Sequence, residues 1–199
     1  MESIGNLVTD VNEIFAILPE DCVPNDAEGC SRCELAAQRK RIIWGEGQPG
    51  APIMVLLDNP GAREDKTGAS FVCGSRKTLQ SLAQQSGINL DRLYITYVVK
   101  CRPLRSYNKR HARMTCIEYF YEQVKDHKPK VILCLGNVAL QTLFDDDSAE
   151  VKKFRGQWHL WNGLPLAVSY HPLAIMRRPN LFPYAILDWE IVAKKIGNL

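Results

Sequence analysis

The chain has 199 residues, 46% of them hydrophobic and 24% charged, with a net charge of +3. That length suits one domain with a sizeable core and excludes a disordered or low-complexity chain. No apolar run approaches the roughly 18–20 residues that cross a bilayer, and Met1–Glu20 lacks a basic start, so a cytoplasmic protein in a reducing compartment, free of membrane, is expected.

In chain order, Ile4, Leu7, Val8, Val11, Ile14 and Phe15 recur at helical spacing and predict an amphipathic helix within residues 1–20. Cys22–Cys33 is rich in Pro, Asn, Asp and Gly and reads as a loop. Helix and loop (1–35) are expected to pack on a single domain spanning 1–199. Four short apolar runs follow, Ile53–Leu57, Tyr94–Val99, Val131–Leu135 and Leu166–Tyr170, as buried parallel strands require. Between and after them, Arg76–Ser86, Cys116–His127, Asn137–Phe144 and Tyr184–Ile196 predict helices. This alternation predicts an α/β fold, a three-layer α/β/α sandwich around a mainly parallel four-stranded sheet.

Such sheets bind ligands beyond the carboxyl ends of their strands. Asp58-Asn59-Pro60-Gly61 follows the first strand and His171-Pro172 the last, so these polar residues should emerge on one edge.

Seven cysteines without a secretory signal argue against disulfides. Cys30 and Cys33 form a tight pair, and Cys101 and Cys116 a distant one. That spacing permits an iron–sulfur cluster or a tetrahedral zinc site. Lys100, Arg102, Arg105, Lys109, Arg110 and Arg113 lie in a stretch with no acidic residue, a pattern shared by phosphate-binding loops and by ordinary solvated ones.

Taken in order, five pieces of the chain resemble the uracil-DNA glycosylase superfamily, in particular its iron–sulfur branch known as family 4. They are Cys30-Ser-Arg-Cys33; Asp58-Asn59-Pro60-Gly61 with Glu64, Asp65, Gly68 and Phe71; Tyr94 to Pro103; Cys116; and His171-Pro172-Leu173. The resemblance covers roughly residues 25–197. It implies a monofunctional DNA glycosylase that hydrolyses the N-glycosidic bond of uracil or another deaminated base and leaves an abasic site for base excision repair. It also implies a [4Fe–4S] cluster on Cys30, Cys33, Cys101 and Cys116, and a monomer whose partner is DNA. An alternative is an iron–sulfur DNA-binding protein that recognises but does not excise uracil.

The same resemblance assigns roles. Asn59 or Asp58 would address the attacking water, Asn59 the favoured of the two because Asn-Pro-Gly also occurs in the mismatch-specific and single-strand-selective branches. His171 would donate to the departing base, with Phe71, Tyr97 and Gly61 around it. Lys100, Arg102, Arg105, Lys109, Arg110, Arg177 and Arg178 would hold phosphates. The sequence departs from the family at Leu57-Asp58-Asn59, where Gly-Glu-Ala is usual, and at Cys73, where glycine is usual. It departs again at Tyr97, which replaces an asparagine that reads the edge of uracil.

Overall fold

A computed structural model describes residues 15–66 and 74–197. The six strands are β1 (Glu46–Gly47), β2 (Ile53–Leu57), β3 (Leu93–Tyr97), β4 (Val131–Leu135), β5 (Trp158–Trp161) and β6 (Leu164–Ser169). They form one sheet in the order β1-β3-β2-β4-β6-β5. The central four are parallel and correspond to the four apolar runs. The sheet thus has six strands rather than four, because an antiparallel strand closes each edge.

The helices are α1 (Asn25–Glu28), α2 (Gly74–Gln85), α3 (Lys109–His127), α4 (Asn137–Phe144), α5 (Val151–Phe154), α6 (Pro172–Arg177) and α7 (Phe182–Gly197). Because side chains alternate along a strand, each central strand feeds two cores. Met54, Leu56, Ile132, Cys134 and Val168 pack with Ile117 and Phe120 of α3 and Leu140 of α4. Ile53, Val55, Leu57, Leu133 and Leu135 pack with Leu79 and Leu82 of α2 and with Trp189 and Val192 of α7. Helices therefore cover both faces and make the expected three layers.

Several local expectations change. Most of the predicted N-terminal helix lies outside the described residues; residues 15–20 are not helical, and Glu20 bridges Glu46. The Cys22–Cys33 segment contains the single turn α1. Helix α3 begins at Lys109 rather than at Cys116, because Asn108 caps it: its Oδ1 accepts from the His111 N–H at 3.1 Å. The basic segment is therefore part loop and part helix. No described helix is long and apolar enough to cross a membrane.

Trp189 anchors the α7 face. It is fully buried, and among the described residues its indole N–H has no hydrogen-bond partner. Trp189→Ala should cost about 3–5 kcal/mol and lower the apparent Tm by roughly 10 °C. Trp189→Phe should cost less, because it keeps an aromatic ring in the site, though a smaller one, and removes the orphan donor. Thermal unfolding of both variants checks this, and equal losses would contradict it.

Candidate active site and cysteine centre

Asp58 leaves β2 and His171 leaves β6, with β4 running between those strands. The gap closes over the end of β4. There Gly136 has φ of +96°, and its N–H donates to the Ser169 carbonyl at 3.0 Å. A side chain at Gly136 would begin 2.9 Å from the Cβ of His171, so only glycine lets the histidine cross. As a result His171 Nε2 lies 3.2 Å from Asp58 Oδ1.

His171 also caps α6, its Nδ1 accepting from the Leu173 N–H at 3.1 Å. With Nδ1 used as an acceptor, the proton of the neutral ring sits on Nε2 and faces Asp58. Asp58 Oδ1 accepts as well from the Asn59 N–H at 2.8 Å. Burial works to raise the pKa of Asp58, but the hydrogen bond and charge of His171 and the Asn59 N–H outweigh it, so the carboxyl titrates below its usual range. Asp58 is thus ionised at neutral pH. The Asn59 amide is turned by a bond from Nδ2 to the Pro60 carbonyl at 2.9 Å.

These residues line a pocket of about 460 Å³, together with Gly61, Glu64, Arg76, Tyr97, Leu173 and Met176. The structure gathers Asp58, Asn59, Gly61, Tyr97 and His171, while Phe71 lies outside the described residues. It also brings in groups the sequence reading did not single out. Arg76 is buried and donates from Nη2 to the Tyr97 hydroxyl at 2.6 Å, while its Nε lies 2.5 Å from Glu46 Oε1. A basic residue on the apolar face of α2, beside Leu79 and Leu82, was the available signal.

The basic residues divide. Arg105, Lys109, Arg177 and Arg178 are exposed and Arg102 is half-buried. Arg110 is paired with Asp145 at 2.9 Å and Asp147 at 3.4 Å, which compensates its charge. Lys100 departs from expectation: it is 1% exposed, and its Nζ donates to Thr96 Oγ1, the Tyr97 carbonyl and Gln123 Oε1. Burial, partly offset by Cys116 and Asp21, pulls that lysine down to about 7. A lysine held this way inside the core cannot reach a phosphate.

Behind the pocket, Cys30, Cys33, Cys101 and Cys116 line one small cavity with Arg39 and Lys100. Among the described residues, no group of three or more metal-binding side chains is drawn together tightly enough for a single ion. Burial pushes the Cys101 thiol up to about 12 and raises that of Cys116. Neutral thiols are therefore the resting form, while four cysteines on one cavity are a usual donor set for a metal-bearing group, which would bind them as thiolates. Arg39 braces the same corner, donating to the Cys30 carbonyl at 2.7 Å.

Fold and pocket together place a cluster of polar side chains at the carboxyl edge of a parallel sheet, beside a four-thiol centre. The family model for the uracil DNA glycosylase superfamily matches residues 44–190. The type-4 uracil-DNA glycosylase of Sulfurisphaera tokodaii is 32% identical, over 80% of this chain and 76% of its own length. Those of Thermotoga maritima (31%; 84% and 89%) and Archaeoglobus fulgidus (29%; 90% and 92%) are similar to it as well. The chain belongs to the uracil DNA glycosylase superfamily and is by class a DNA glycosylase.

The histidine tautomer is directly measurable. Side-chain ¹⁵N spectra, assigned by difference with His171→Gln, should show a protonated Nε2 and a bare Nδ1 for neutral His171. The reverse pattern would contradict the Leu173 cap.

Proposed function

We propose that this protein excises uracil or another deaminated base from DNA by hydrolysing the N-glycosidic bond, leaving an abasic site for base excision repair. The observation that carries the reading is the 3.2 Å contact between His171 Nε2 and Asp58 Oδ1 at the mouth of the pocket. When the C1′–N bond breaks, electrons leave with the base and positive charge remains on the sugar. A water then adds at C1′ and must lose a proton. The site has one group for each demand.

In the free protein the Nε2–H of His171 is directed at Asp58. With a flipped base in place, that N–H turns to the base oxygen on which negative charge collects. Asp58, kept ionised, then faces the cationic sugar and can accept the proton of the water. Asn59 positions that water, since its Nδ2 is held by Pro60 and its carbonyl end is the acceptor it can offer. Among the described residues the pocket lining includes no lysine, and hydrolysis rather than Schiff-base lyase chemistry is the reading we adopt.

DNA would approach over α6, where Leu173 and Met176 are exposed at the pocket rim and Arg177 and Arg178 follow. Apolar residues there suit insertion at the vacated stack, and the arginines suit phosphates. Arg102, Arg105 and Lys109 add sequence-independent contacts that weaken with salt. We read residues 1–199 as one domain acting as a cytoplasmic monomer.

The four cysteines would hold a [4Fe–4S] cluster. Four cysteine thiolates are the usual holders of such a cluster, and the likeness to the iron–sulfur branch favours it over the tetrahedral zinc site that the spacing also permits. The cluster would supply cross-linking rather than chemistry on the base, tying Cys30 and Cys33 to the end of the β3 segment and to α3.

Under single-turnover conditions, Asn59→Ala and His171→Ala should each slow base release by roughly 10²–10³-fold while retaining iron and DNA affinity. Unchanged rates in both would refute the assignments. Cys101→Ala should lose iron, absorbance near 400 nm and solubility together. Full iron retention would remove Cys101 from the ligand set, and a colourless zinc protein would replace the cluster with a single ion.

A further inference from the structure

Tyr97 stands where the resembling family reads the edge of uracil with an amide, and its surroundings show what it can read instead. The ring is 2% exposed at the end of β3 and lines the pocket. Among the described residues, the hydrogen-bond partner of its hydroxyl is Arg76, whose Nη2 donates to it at 2.6 Å. Arg76 is in turn fixed, with Nε 2.5 Å from Glu46 Oε1 and Nη2 3.8 Å from Glu64 Oε1. Burial raises the pKa of Tyr97, so the phenol keeps its proton. Its acceptor side faces a guanidinium that has only donors, and the group it offers to the pocket is O–H.

We propose that Tyr97, held by Arg76, is the specificity residue of this pocket, and that it selects bases by a carbonyl oxygen where the parent base carries an amino group. This rests on reading the pocket as one for a flipped base. An asparagine amide presents a donor and an acceptor and so demands both a carbonyl and a ring N–H in one register. A lone phenol demands only an acceptor. Uracil and hypoxanthine satisfy it with their 4- and 6-keto oxygens. Cytosine and adenine place an amino group there, donor against donor, and leave a buried hydroxyl unpaired. The substrate class is therefore deaminated bases of both ring sizes, not uracil alone. Arg76 is a positioning residue: it touches Tyr97, and its pairing with Glu46 and Glu64 stops the phenol from turning away.

The test separates recognition from chemistry. Full-length protein is titrated with oligonucleotides carrying 2′-fluoroarabino-deoxyuridine, deoxyinosine, deoxycytidine or deoxyadenosine, whose glycosidic bonds resist cleavage. The wild type should bind the uracil and hypoxanthine probes within about tenfold of one another and each at least tenfold tighter than its amino parent. Tyr97→Phe, which keeps the ring, should bring all four within about threefold. Arg76→Lys, which cannot hold Glu46 and Tyr97 at once, should lose part of the preference with the fold intact by circular dichroism. Three results would overturn the proposal: preference retained in Tyr97→Phe, no keto-over-amino preference in the wild type, or uracil favoured over hypoxanthine by more than 100-fold. Natural-sugar probes run alongside: if preference follows Tyr97 but no base is released, recognition stands and the excision reading fails.

Discussion

The structure depends on the parallel register of β2, β4 and β6. Ile53 pairs with Val131 and Ile132 with Leu166, so the strands end level and their following residues leave on one edge. Buried on both faces, such strands cannot slip by a residue without turning every side chain into the wrong layer. Asp58 and His171 are brought together by that register, and the positive φ of Gly136 completes the approach. The paired carboxylate and imidazole thus follow from how the core packs, with no flexible loop needed to assemble them.

The segment from Thr96 to Cys101 joins the two centres. Tyr97 faces α2 and the pocket, while Thr96 faces α3 and hydrogen-bonds Gln123 at 2.7 Å. Lys100 closes this turn by donating to the Tyr97 carbonyl at 3.0 Å, and its own N–H lies 3.3 Å from Cys116 Sγ. The thiol centre therefore sits one short turn, held by the Val98, Val99 and Lys100 N–H groups, from the residue argued to read the base. A crosslink there would stiffen the pocket wall from behind.

Much of this was legible in the sequence, for identifiable reasons. The central strands read as continuous runs of β-branched, aliphatic and aromatic residues because both faces are buried, and the helix expected over Asn137–Phe144 has those bounds. The β5–β6 hairpin does carry a sequence signal: Asn162-Gly163, both at positive φ, is the two-residue turn such hairpins favour. β1 has two residues and so no period to detect. The start of α3 was hidden because Lys109–Arg113 is polar and the helix begins from its cap. In the candidate site, the motif residues were placed by order along the chain. Arg76, Glu46 and the burial of Lys100 depend on contacts between distant segments, where residue type alone misleads: a lysine among arginines reads as surface until Thr96 and Gln123 are seen around it.

The proposed activity comes down to one chemical event, departure of a base from intact DNA. The direct measurement is single-turnover incubation of the iron-replete protein with a duplex carrying one uracil, scoring free base by chromatography and strand breaks with and without alkali. Free uracil with breaks only after alkali is the predicted result. Tight binding with no base released, or breaks that form without alkali, would contradict it.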